Sequence, residues 1–126
     1  NDEGLLDVVM VAHVMNKDVD KNYPATMSPA FIQDILRKQI GFKGVVISDD
    51  MQMGAITKNY GFEDSIIMAI NAGCDIVEFS NNTSEKYDSQ MPYKVRDIIF
   101  DAVKSGKIDQ KRILESYNRI VNLKAK

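Results

Sequence analysis

At 126 residues, 44% of them hydrophobic, the chain is long enough to build one domain around its own core. Sixteen basic residues against eighteen acidic leave a net charge of −2, which gives nucleic acid no electrostatic foothold. No apolar run approaches the roughly 18 residues of a membrane-spanning helix. A single cysteine excludes an internal disulfide, and the opening residues are read as lacking a signal peptide.

The first predicted element is a buried strand over Leu5 to Met15, "LLDVVMVAHVM", rich in valine and with little polar alternation. The polar loop "NKDVDKNYPAT" follows. Ser28 and Pro29 then supply an N-cap and a first-turn proline for a helix with an apolar stripe of Phe31, Ile32, Ile35, Leu36 and Ile40. Gly41 stops that helix. "GVVIS" predicts the second strand, and a helix around Glu63 to Asn71 turns Ile66, Ile67 and Ile70 inward before Gly73 closes it. "CDIVEFS" predicts the third strand, with Cys74 as a buried free thiol. After the polar loop Asn81 to Gln90 come two amphipathic helices, near Tyr93 to Ser105 and Gln110 to Lys124. The Lys and Arg residues of these last helices are spaced among acids as a solvated face would be.

Continuous apolar strands alternating with amphipathic helices predict parallel βαβ units in a single α/β segment spanning residues 1–126. Three such strands make either a small open sheet or a segment of a larger (β/α)8 barrel. In both, the functional edge lies at the C-terminal ends of the strands. His13, the trio Ser48-Asp49-Asp50 and the trio Ser80-Asn81-Asn82 all fall on that edge. Adjacent aspartates there serve either as strand-end caps or as a carboxylate held rigidly for chemistry. As neighbours they point different ways, which makes a metal site a poor reading, and no cofactor motif is present. Cys74 begins a strand, at the wrong end of the sheet for a nucleophile.

Four stretches carry a resemblance: "VVMVAHV", "YPATMSPAFIQDILRKQIGFKGVVISDDMQMGAI", "SIIMAINAGCDIVEFSNN" and the closing "GKIDQKRILESYNRIVNLK". Together they resemble glycoside hydrolase family 3, and most closely its bacterial β-N-acetylhexosaminidase branch. The ordered motif G-F-x-G-V-V-x-S-D-D-x-x-M is the most specific part. The resemblance implies a partial TIM-type barrel, with the chain as its last three βα units, and a retaining glycosidase acting on terminal β-N-acetylglucosaminides in cell-wall recycling. It implies Asp49, which directly follows Ser48, as the nucleophile, and Asp50 as a residue with a local hydrogen-bonding role. His13 is implied only as a substrate-binding residue lining the sugar pocket.

In that branch the general acid/base is typically a His paired with an Asp on a loop from the earlier half of the barrel, and this chain has no matching segment. The chain alone is therefore expected to turn over little or no substrate, since loss of an acid/base removes about 10²–10⁴-fold. A partial barrel also exposes strand edges and an apolar inner face, so self-association is expected, which sedimentation at micromolar concentration would read. The partner implied is a carbohydrate containing N-acetylglucosamine. The unpaired cysteine and the resemblance point to a cytoplasmic location. Two other readings compete: a non-catalytic α/β module that binds a sugar or a partner through the same edge, and a flavodoxin-like receiver domain. The latter lacks a second acid at another strand end.

Overall fold

Valine-rich segments with every second residue facing one way need cover on at least one side. In the computed structural model, which describes residues 6–82 and 87–126, that need shapes the sheet. Strands β1 (Val8–Val11), β2 (Val45–Asp50) and β3 (Ile76–Glu78) lie side by side in the order β1-β2-β3. All are parallel, with Val8 beside Val45, Val11 beside Ser48 and Ile47 beside Ile76.

The crossovers are helical. A 3₁₀ turn (Ala25–Met27) and a helix with π-type winding (Ala30–Gln39) join β1 to β2. A one-turn helix α1 (Gly54–Thr57) and helix α2 (Phe62–Ala72) join β2 to β3. Helices α3 (Met91–Lys104) and α4 (Gln110–Lys124) complete the chain, with Asp109 capping α4 by accepting from the Lys111 N–H. The predicted alternation of strands and helices is therefore present, and the Ser28 hydroxyl accepts from the Phe31 N–H at the helix start as its sequence position implied.

One face of the sheet is covered. Val46 packs with Met27, Ile32, Met51 and Ile56, and Val9, Val11 and Val77 lean on the same cluster. A second cluster joins Ile66, Ile67 and Ile70 of α2 to Val95 and Ala102 of α3. The opposite face carries Val8 and Met10, which are 39% and 58% exposed. Ile47 shares that face by the two-residue period of the strand, and a register shift between Ile47 and Asp50 then interrupts the alternation.

Two strands are shorter than predicted. Leu5, the expected start of the first strand, lies outside the described residues, as does part of the loop Asn81 to Gln90. At its other end β1 stops at Val11, and by Val14 the carbonyl has turned to accept from Ala25 N–H instead of a strand partner. The third strand begins two residues later than Cys74 because the Cys74 N–H still belongs to the end of α2, donating to the Ala69 carbonyl. It ends before Ser80 because the Ser80 N–H donates to a side chain, the Asp50 carboxylate.

The basic residues of α4 depart most from expectation. Arg112 is buried, not solvated, and with Arg119 and Arg37 it surrounds the fully buried Asp75 carboxylate at distances of 2.8–2.9 Å. The sequence signal was an acid inside an apolar strand segment, which cannot stay charged there without partners.

Candidate functional site

The C-terminal edge of the sheet gathers the three polar groups picked out from the sequence, and Asp50 is the residue that joins them. Its Oδ2 accepts from the Ser80 hydroxyl at 2.6 Å. Its Oδ1 accepts from the N–H groups of Gln52 (3.0 Å) and Ser80 (3.1 Å). Its backbone carbonyl accepts from His13 Nε2 at 2.9 Å and from the Met53 N–H at 3.0 Å. One residue thus ties together the ends of β1, β2 and β3.

This arrangement has an electrostatic consequence. Partial burial works to raise the Asp50 pKa, but the bonds from Ser80 and Gln52, with a smaller contribution from His13, hold it below the ordinary carboxylate value. Asp50 is therefore an anion whose two oxygens are both committed to protein donors.

Asp49 is built differently. Its Oδ1 accepts from the Asp50 N–H at 2.8 Å, and its Oδ2 has no hydrogen-bond donor among the described residues. The side chain is half-buried, beside the register shift that interrupts β2 between Ile47 and Asp50. A carboxylate with one oxygen anchored by the backbone and the other unencumbered is oriented yet able to form a new bond.

His13, expected to contact sugar, has both ring nitrogens occupied by the protein. Nε2 bonds the Asp50 carbonyl, and Nδ1 lies 2.8 Å from the Thr26 hydroxyl. A sugar reaching this ring finds no free nitrogen. Thr26 is fully buried and was missed in the sequence, where nothing marks a threonine thirteen residues away as a histidine's partner. Gln52 was missed too: its Oε1 accepts from the Asn81 N–H at 2.7 Å, holding the loop after β3 against the loop after β2. Asn81 takes a left-handed backbone, φ 52°, an uncommon conformation outside glycine that this bond and its pair of bonds to Asp88 hold in place.

Cys74 lies away from this edge. Burial, reinforced by the neighbouring Asp75, pushes its thiol up to about 12, so it carries no thiolate near neutral pH. The described residues hold no group of three His, Cys, Asp or Glu side chains suited to a metal, and none of their helices is long and apolar enough to cross a membrane. A cavity of about 590 Å³ opens at the other end of the sheet, between Asp7, Lys43 and Arg119. This cavity is far from the polar strand ends in kind as well as place. The chemistry decides for those ends, because the oriented carboxylate and the strand-end network are both at the C-terminal edge.

Residues 3–123 match the family model described as the glycosyl hydrolase family 3 N terminal domain. A beta-hexosaminidase of Stenotrophomonas maltophilia is 46% identical over 71 residues, 56% of this chain and 21% of the relative. A beta-hexosaminidase of Tolumonas auensis is 38% identical over 79 residues, 63% of this chain and 23% of that one. Among solved structures, a glycoside hydrolase family 3 beta-N-acetylglucosaminidase from Paenibacillus sp. superposes with a TM-score of 0.84 at 36% identity, covering 95% of this chain and 22% of the other. The beta-N-acetylglucosaminidase from Thermotoga maritima gives 0.79 at 30%, covering 91% and 24%. The chain thus spans about a fifth to a quarter of the length of these proteins.

Proposed function

Because the chain belongs to glycosyl hydrolase family 3, we propose that it supplies the nucleophile of a retaining hydrolase of terminal β-N-acetylglucosaminides. In this reading Asp49 attacks the anomeric carbon and forms a glycosyl-enzyme, which water then releases. The observation that carries the assignment is the contrast within the pair. Among the described residues Asp49 Oδ2 has no donor, whereas Asp50 has both oxygens bonded. A nucleophile needs a free lone pair aimed at the substrate and cannot spend both oxygens on structure. Position agrees, since barrel chemistry collects at the C-terminal ends of strands.

The same reading makes these three βα units the last three of a (β/α)8 barrel. The exposed sheet face bearing Val8 and Met10 would then be the barrel interior, filled by the remaining strands. Protonation of the leaving oxygen would fall to an acid/base on an earlier loop of that barrel. Presented alone, the half-exposed apolar face also supports association between copies of the chain.

The test is Asp49→Ala in the whole enzyme carrying this chain, assayed on an aryl N-acetylglucosaminide. Activity should fall by roughly 10³-fold or more, on the scale seen when a covalent nucleophile is removed. Added azide should restore turnover and give the glycosyl azide of inverted configuration, because the small anion enters where the carboxylate stood. Normal activity in this variant would refute the assignment.

A further inference from the structure

We infer that His13 is a positioning residue for the nucleophile, acting through the backbone of Asp50 and not through the sugar. The inference rests on the reading of Asp49 as nucleophile.

The geometry fixes the ring's tautomer. A carbonyl can only accept, so the 2.9 Å contact between His13 Nε2 and the Asp50 oxygen requires the proton on Nε2. Nδ1 faces the Thr26 hydroxyl at 2.8 Å, and that hydroxyl also lies 3.2 Å from the Val11 carbonyl. A hydroxyl has one proton. When the ring is neutral, Thr26 donates to Nδ1. When the ring is protonated, Nδ1 donates to Thr26, which donates onward to Val11. In both states Nε2 keeps its hydrogen and its bond to Asp50. Thr26 is fully buried, so the relay is shielded from competing water.

That bond reaches the nucleophile by a short route. The Asp50 N–H is the group that holds Asp49 Oδ1 at 2.8 Å. Any swing of Asp50 therefore moves the only donor that orients the Asp49 carboxylate among the described residues. Ser80 and Gln52 restrain the Asp50 side chain, and Met53 N–H and His13 restrain its carbonyl. Of these restraints, only His13 comes from β1's side of the site. It sets the end of β2 against the neighbouring strand, and no regular ladder bond does so beyond Ser48.

Histidine at this place is thus replaceable by a side chain that puts an N–H where Nε2 stands. Glutamine does so and leucine does not. In the whole enzyme, His13→Leu should lower kcat by about 10–100-fold, the scale of a displacement of the reacting group by ångström fractions. Its KM should stay within about threefold, and His13→Gln should keep kcat within about threefold of the parent with an unshifted pH–rate profile. Imidazole ¹⁵N spectra should show an Nε2–H tautomer that disappears in His13→Gln.

A raised KM at unchanged kcat in His13→Leu would make His13 a sugar contact, and loss of one limb of the pH profile in His13→Gln would make it a proton donor. Either result overturns the positioning role, as does parental kcat in His13→Leu. If His13→Leu does not fold, Thr26→Val decides: it should cost about 3–10-fold in kcat by loosening the ring, and parental kcat there also overturns the role. Asp49→Ala with azide, run alongside, separates the two readings. If Asp49→Ala stays active, the nucleophile assignment falls. If it is inactive and rescued while His13→Leu keeps full kcat, only the positioning role falls.

Discussion

Asp75, just ahead of β3, and Asp49, near the end of β2, are both carboxylates of the same small sheet, yet their surroundings differ in every respect. The Asp75 side chain is fully buried and receives five hydrogen bonds, from Arg37, Arg112, Arg119, Ser116 and the Val46 N–H. Asp49 is half-buried and receives one among the described residues. The first ties two helices, Ala30–Gln39 and α4, to β2 and the start of β3 at the N-terminal end of the sheet. The second is left under-satisfied at the C-terminal end. A fully satisfied carboxylate holds a fold together and is chemically inert, while an anchored but incompletely bonded one is available to react. The division follows the general rule for parallel α/β architectures, with stability at one end of the strands and function at the other.

The largest expected effect tests the structural half of this contrast. Asp75→Ala removes the buried anion from among three guanidiniums and leaves only the half-exposed Glu115 beside Arg112 and Arg119; two of the three, Arg37 and Arg112, are only 10% exposed. Breaking a buried ion pair from one side costs about 3–5 kcal/mol, because the remaining charges stay buried without compensation. Arg112 would also lose its register over the end of α2, where it donates to the Ile70, Gly73 and Cys74 carbonyls. Urea unfolding of the whole protein measures the loss. A change below 1 kcal/mol would show that the cluster is an ornament of packing.

The pH dependence of that difference is the next largest effect. Burial alone would raise the Asp75 pKa. The bonds from Arg112, Ser116 and the Val46 N–H, together with the charge of Arg119, outweigh it and leave the folded-state value below the ordinary one. A depressed folded pKa contributes stability that is present above the unfolded value of about 3.9 and lost as pH falls through the folded value. The stability gap between the parent and Asp75→Ala should therefore be constant from pH 7 to about pH 4 and narrow below that. A gap that closed already between pH 7 and 5 would point to a different titrating group.

How far sequence alone reaches follows the same division between the two ends. The helices α2, α3 and α4 lie within two residues of their predicted limits, because each is set by local signals: apolar spacing, Gly73, Asp109. The polar edge was legible because the strand order puts His13, Asp50 and Ser80 together whatever their rotamers. What escaped was every feature made by a side chain meeting something distant. Arg112 and Arg119 read as solvated because nothing local distinguishes them from Lys111 or Lys124, and only the arrival of Asp75 from 37 residues away turns Arg112 inward. The first and third strands were drawn too long for the same reason, since their ends are decided by bonds such as that of the Ser80 N–H to Asp50, while β2 runs two residues past its predicted end at Ser48. His13 was placed on the right edge, but its protein partners, a carbonyl and a buried hydroxyl, carry no mark in the sequence.

The smallest expected effect sharpens the contrast most. Asp49→Asn keeps an Oδ1 that accepts from the Asp50 N–H, so the one bond that orients the side chain survives. The charge removed has no ion-pair partner within salt-bridge distance among the described residues, and Oδ2 has no donor to lose. Folding stability of the whole protein should stay within about 0.5 kcal/mol of the parent, the range of a substitution that breaks no network. Activity should nevertheless collapse as in Asp49→Ala, because an amide cannot form the glycosyl ester. Stability falling by 2 kcal/mol or more would place Asp49 among the structural carboxylates with Asp75 and remove the distinction between the two ends of the sheet. An inactive enzyme that unfolds at the parental urea midpoint is the outcome expected of a residue that serves the reaction and is not needed for the fold.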